Sequence, residues 1–165
     1  IGLKKYPCYN GSQRAMDGVL QLRQKLGFSA DTLQRLECRM PPGGMHVLIY
    51  PQPVTGLEGK FSLQYVLAAG VLDGAYGLGT VTDAAVNRPA IKALRQKIVA
   101  VEDERCGNND PLMQTRAAGA RGFVEVEVQT TDGRSDVARV LAAPGHPTRP
   151  LSWQLNASDT VVPQR

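Results

Sequence analysis

The chain has 165 residues, of which 42% are hydrophobic and 21% charged, and its formal net charge is +4. This length suits one domain with a hydrophobic core, and the composition excludes disordered and fibrous proteins. The 19 Lys and Arg residues are scattered along the chain and aromatic residues make up only 5%, which argues against a nucleic-acid-binding surface. The longest apolar run, 66–72, is too short to span a bilayer.

The cysteines and histidines indicate neither a disulfide framework nor a metal site. Cys8, Cys38 and Cys106 are widely spaced, and His46 and His146 lack acidic or cysteine neighbours at metal-ligand spacing. No secretory leader is recognisable at the start of the chain. We therefore expect a reducing, cytoplasmic location.

The first half of the chain predicts two helices with a strand between them. Ser12 suits a helix N-cap, and apolar residues at helical spacing behind it predict a helix over 13–27. Alternating apolar and charged residues predict a half-buried strand over 36–40, whereas the apolar segment 45–50 fits either a strand or a buried loop. The second helix, over 62–73, is apolar on all sides, so we expect it to be the central core helix.

The second half predicts shorter elements and one clear hairpin. Thr82 can cap a short helical turn, and a proline at the first position favours a helix over about 89–96. An apolar strand is predicted over 98–101 and a long surface loop over 105–119. Alternating valines and glutamates, followed by an Asp-Gly turn, predict a β-hairpin over 123–141.

The order of these elements predicts an α+β fold. Strands at Leu36, Ile98, Val124 and Val137 would form a mainly antiparallel sheet. The helices would cover one face of this sheet and complete a two-layer sandwich.

Three separated motifs resemble those of the MmgE/PrpD family. They are KKYPC at 4–8 with Ser12 behind it, TGLEGKFSLQY at 55–65 with LDG at 72–74, and PGHP at 144–147 with PLS at 150–152. The resemblance implies that 1–152 form the C-terminal α+β domain of this family. It leaves 153–165 as a divergent polar tail.

The resemblance also implies a set of site residues. Tyr65 and Gln13 fall on catalytic positions, with Gln13 in place of the family's histidine, and Lys4, Lys5 and Ser12 fall on substrate-binding positions. An amide can bind a carboxylate through hydrogen bonds, but it cannot exchange a proton near neutral pH. Each of these residues also has a structural alternative. Tyr65 could be a core tyrosine with its hydroxyl at the rim, and Ser12 could be a plain helix cap. Lys4 and Lys5 could be part of a solvated basic terminus.

The function implied by the resemblance is that of a 2-methylcitrate dehydratase-like lyase acting on small di- or tricarboxylic acids. The family's enzymes use neither a metal nor a cofactor, and an all-helical domain forms the opposite wall of their cleft, so we expect this domain to be inactive alone. The alternative is a non-catalytic relative that serves as an oligomeric binding or scaffold domain. The expected partners are further copies of the chain, with a separate helical domain as a further candidate, and neither nucleic acid nor a membrane.

Overall fold

The computed structural model describes residues 3–107 and 121–151. Most of the predicted surface loop 105–119 and the whole predicted tail 153–165 therefore lie outside the described residues. Across the described ranges, no helix combines the length and the apolar character needed to cross a membrane.

A four-stranded mixed sheet forms one layer of the molecule. Its middle strand pair and its hairpin are antiparallel, and one edge pair is parallel, which confirms the predicted α+β fold with a mainly antiparallel sheet. The spatial order is β2-β1-β3-β4. The strands are β1 (Leu33–Met40), β2 (Ile98–Glu102), β3 (Val124–Thr130) and β4 (Ser135–Val140).

Five α-helices belong to the described residues, and the two longest cover the apolar face of the sheet. The helices are α1 (Ser12–Leu26), α2 (Gly56–Gly59), α3 (Leu63–Asp73), α4 (Asp83–Val86) and α5 (Pro89–Arg95). Helix α1 packs on β3, β4 and α3, while α3 packs on β2 and α5. The strand residues on the covered face, such as Leu36 and Val126, are fully buried. The second face carries ion pairs of Arg39 with Glu125 and Glu127.

Helix α3 is the central core helix, as predicted. Every residue from Tyr65 to Val71 is buried. The Ser62 hydroxyl caps the helix by accepting a hydrogen bond from the Tyr65 amide at 3.1 Å, and Gly74 ends it with a left-handed φ of 67°. A Cβ on Gly70 would lie 2.9 Å from the Met16 sulfur, so this glycine lets α1 and α3 approach closely.

Two local predictions are settled by the backbone. Ser12 is not the N-cap of α1: Gly11 takes that position and no side chain caps the helix. A preceding turn replaces the cap, because the Ser12 amide donates to the Tyr9 carbonyl at 3.0 Å. The segment 45–50, for which a strand and a buried loop were both open, lies in turns and loop, and within it only Leu48 is buried.

Candidate functional site

A cavity of about 590 Å³ lies where the N-terminal segment, the start of α1 and the loop after β4 meet. Its wall brings together two segments more than 100 residues apart in the sequence. The first contributes Leu3, Lys4, Asn10, Gln13 and Arg14, and the second contributes residues 141–148. None of these described lining residues is acidic, and Lys4 and Arg14 are cationic. Such a wall favours an anionic ligand.

The loop after β4 is held against the N-terminal segment and α1. The Leu3 amide donates to the Gly145 carbonyl at 2.9 Å. Gly145 has a φ of 90°, and a Cβ there would lie 2.1 Å from the Leu3 carbonyl oxygen, so only glycine fits. The Arg149 guanidinium lies 2.5 Å from the carboxylate of Asp17, a buried residue of α1. The loop side of the cavity is therefore fixed to the helix layer.

His146 lies in this loop and lines the cavity. Its Nδ1 accepts a hydrogen bond from the Thr148 amide at 3.2 Å and lies 2.8 Å from the Thr148 hydroxyl. Sequence reasoning considered His146 only as a metal ligand and did not place it in a site. The signal that could have found it is its position inside the PGHP motif at 144–147.

Gln13 lines the cavity, but both ends of its amide are engaged by the N-terminal segment. Its Oε1 accepts from the Tyr6 amide at 3.0 Å, and its Nε2 donates to the Tyr6 carbonyl at 2.7 Å. The same nitrogen also contacts the Cys8 sulfur at 3.5 Å. The side chain is 1% exposed. Gln13 thus fixes the segment that carries Lys4 to the start of α1.

The other residues predicted to bind substrate are placed differently from one another. Lys4 is exposed and lines the cavity. Lys5 lies outside the lining, with its ammonium 5.3 Å from the centre of the Tyr6 ring. Ser12 is fully buried and does not line the cavity. Of the five predicted site residues, the cavity brings together Lys4 and Gln13.

Arg14 is a cavity residue that sequence reasoning missed. It is 3% exposed, and its Nη1 and Nη2 donate to the carbonyls of Gly122 at 2.9 Å and Arg121 at 3.0 Å, with Leu141 at 3.4 Å from Nη1. These carbonyls flank the β3–β4 hairpin at both chain ends. Arg14 therefore joins α1 to the hairpin and places positive charge at the cavity wall.

Tyr65 lies in the core, away from the cavity. It is 0% exposed, its hydroxyl donates to the Thr80 carbonyl, and its ring meets the Tyr76 ring edge-on at 6.0 Å. Desolvation by burial raises the pKa of Tyr65 against the opposing effect of the Arg88 guanidinium. The turn that ends at Thr80 covers the Tyr65 hydroxyl, and the catalytic role implied for Tyr65 stays a prediction.

The residues of the segment that precedes Tyr65 also have structural roles. Thr55 and Glu58 form a capping box around α2. A Cβ on Gly56 would lie 2.2 Å from the Val81 carbonyl oxygen, and a Cβ on Gly59 would lie 2.9 Å from the Tyr65 ring. The residue types of this segment are thus explained by close packing and helix capping.

The buried thiols and the carboxylates do not form a metal centre in the part of the chain that the structure describes. Within 3–107 and 121–151, no group of three or more His, Cys, Asp or Glu residues could hold a metal ion. All three cysteines are free and buried. Desolvation raises the pKa of Cys8 to about 12, so its thiol stays protonated at neutral pH.

The fold and the cavity define a class: a two-layer α+β domain with an anion-favouring site formed by its N-terminal segment and the loop after its last strand. The sequence profile of the MmgE/PrpD C-terminal domain matches residues 6–157, and the chain belongs to this family.

The chain is similar to two mammalian enzymes. Cis-aconitate decarboxylase of Mus musculus is 27% identical over 160 residues, which cover 93% of this chain and 30% of the mouse protein. Cis-aconitate decarboxylase of Homo sapiens is 26% identical over 159 residues, which cover 93% of this chain and 31% of the human protein. The chain therefore spans about a third of the length of these relatives.

Proposed function

We propose that this chain is the C-terminal domain of a lyase acting on small di- or tricarboxylic acids, and that the cavity at Lys4 and His146 is its part of the substrate site. One observation carries the proposal: parts of two separate family motifs, at 4–8 and 144–147, meet at one cavity whose described lining has cationic but no acidic side chains. The similarity to cis-aconitate decarboxylases supports a carboxylate substrate.

The chemistry of such a lyase explains what this wall would contribute. When a carboxylate leaves as carbon dioxide, the electron pair of the broken bond stays on the substrate and must be stabilised before a proton is added. Lys4 would hold a remaining carboxylate by charge, while Arg14 adds positive potential behind it. Gln13 cannot supply the proton, since an amide does not exchange one near neutral pH. The domain alone would therefore bind a substrate without turning it over.

Calorimetric titration of the purified chain tests this proposal. We expect cis-aconitate, citrate or 2-methylcitrate to bind with a dissociation constant of about 1 mM or below, and acetate to bind far more weakly. Lys4→Gln should weaken the binding several-fold. Lys5→Gln is the matched control, because Lys5 does not line the cavity. Absence of binding by every di- and tricarboxylate would refute the proposal.

A second candidate, an oligomeric binding or scaffold domain, is favoured by exposed apolar side chains. Five exposed apolar side chains lie within one short stretch: Val47, Ile49, Tyr50, Val54 and Leu57. A second copy of the chain would cover these side chains, because burying them against it removes apolar surface from water. Light scattering at high micromolar concentration tests this: a dimer that Ile49→Ser dissociates supports it, and a monomeric mass for the unmodified chain contradicts it.

The location is also a proposal. The three cysteines are free thiols, which supports a reducing compartment such as the cytoplasm. Fractionation of cells that express the tagged full-length protein would test it, and recovery in an oxidising compartment would contradict it.

A further inference from the structure

We infer that His146 is a substrate-binding residue of the cavity, and that its Nε2–H donates a hydrogen bond to a carboxylate or enolate oxygen of the ligand beside the Lys4 ammonium. The inference deepens the proposed function and rests on it.

His146 lies on a loop that is fixed at several points. The loop is closed internally by hydrogen bonds from the His146 amide to the Ala143 carbonyl at 3.1 Å and from the Arg149 amide to the His146 carbonyl at 2.8 Å. It is anchored externally by the Leu3–Gly145 hydrogen bond and the Arg149–Asp17 ion pair. A binding group gains from such support, because little conformational freedom is lost when the ligand arrives.

The hydrogen bonds of Nδ1 fix the tautomer of the His146 imidazole. A backbone N–H can only donate, so the Thr148 amide at 3.2 Å requires an unprotonated Nδ1. The Thr148 hydroxyl, at 2.8 Å from the same nitrogen, can donate to it as well. The proton of the neutral ring therefore resides on Nε2, which makes His146 a hydrogen-bond donor on its other edge.

The hydrogen-bond donors around the cavity differ in whether the protein already engages them. The Gln13 amide is engaged by both backbone groups of Tyr6, and Arg14 donates to backbone carbonyls. Among the described contacts, neither the Lys4 ammonium nor the His146 Nε2 has a protein acceptor. A charged donor and a neutral donor in the wall of one cavity suit a ligand with two or more anionic groups.

Nuclear magnetic resonance of the two histidine rings tests this inference. His46 is exposed and lies outside the cavity, so it serves as an internal control, and the variants His46→Gln and His146→Gln assign the two ring signals. The probes are cis-aconitate and propane-1,2,3-tricarboxylate, added to the full chain at constant pH. We expect the His146 ring signals to shift saturably, with the calorimetric dissociation constant, while those of His46 stay in place.

The same variants give the affinity readout. His146→Gln should weaken tricarboxylate binding about tenfold, the size expected for a hydrogen bond to a charged group, whereas His46→Gln should leave it within about twofold. Tricarboxylate binding without a shift of the His146 signals overturns the inference and leaves the proposed function standing. No binding by the unmodified chain overturns both.

Discussion

The segment 55–65 and the cavity rim use their polar groups in opposite ways, although both carry motifs of one family. In the segment, Glu58 completes a capping box and the Tyr65 hydroxyl donates to the Thr80 carbonyl. At the rim, Lys4 is exposed and His146 has an engaged edge and an edge without a described protein partner. Hydrogen-bond partners, rather than residue types, therefore separate a folding role from a binding role.

The largest expected effect is a loss of stability from a substitution in the segment 55–65. Gly56→Ala would place a Cβ 2.2 Å from the Val81 carbonyl oxygen, and we expect it to lower the free energy of unfolding by about 3 kcal/mol. Gly77→Ala is the control, since a Cβ there has nothing within 4 Å. Urea denaturation measures both, and equal stabilities would show that the backbone around α2 yields easily.

Gln13→His restores the family's residue type and tests how much the Gln13 amide contributes to folding at the cavity. We expect it to lower stability by about 2 kcal/mol, because the buried amide and carbonyl of Tyr6 lose their side-chain partners. Gln24→His on the exposed face of α1 is the control for the introduced imidazole.

We also expect Gln13→His to leave the purified chain without turnover of cis-aconitate. A general acid contributes about 10² to 10⁴ in rate, whereas positioning by a complete cleft can contribute roughly 7 to 11 kcal/mol. The second contribution requires the opposite wall. Decarboxylation or dehydration by the variant without an added partner would contradict this expectation.

Tyr65→Phe has the smallest expected effect on stability, and it tests whether the segment 55–65 has only a folding role. Loss of the hydroxyl that donates to Thr80 should cost about 1 to 2 kcal/mol of stability and leave tricarboxylate affinity unchanged. Tyr50→Phe, at an exposed position, is the control. If Tyr65→Phe lowered the tricarboxylate affinity and left the stability unchanged, Tyr65 would be a substrate-binding residue and not a structural one.

The elements that sequence predicted well carry local signals. The Ser62 cap and the Gly74 terminus bound α3, and the Asp132-Gly133 turn sets the hairpin. A few neighbouring residues determine each of these, so the sequence suffices to predict them. The capping box of α2 had such a signal as well, in the spacing of Thr55 and Glu58.

The site was harder to predict because distant contacts create it. Arg14 bonds to a carbonyl 108 positions away, and Asp17 pairs with Arg149 across 132 positions. No local periodicity encodes such pairs. Resemblance to the family indicated Lys4, Gln13 and Tyr65 alike as site residues. It could not predict that Lys4 and Gln13 line the cavity and that Tyr65 does not, because burial and hydrogen-bond partners determine which residues line it.

The most direct test of this account is a map of backbone amide shifts on adding propane-1,2,3-tricarboxylate to the ¹⁵N-labelled chain. If the cavity is the carboxylate site, the amide signals of residues 3–5 and 10–14 and of the non-proline residues in 141–148 should shift together. Those of 55–65 and 77–82 should remain in place. Shifts confined to the amides around Tyr65 and Thr80, with a silent cavity, would contradict the account.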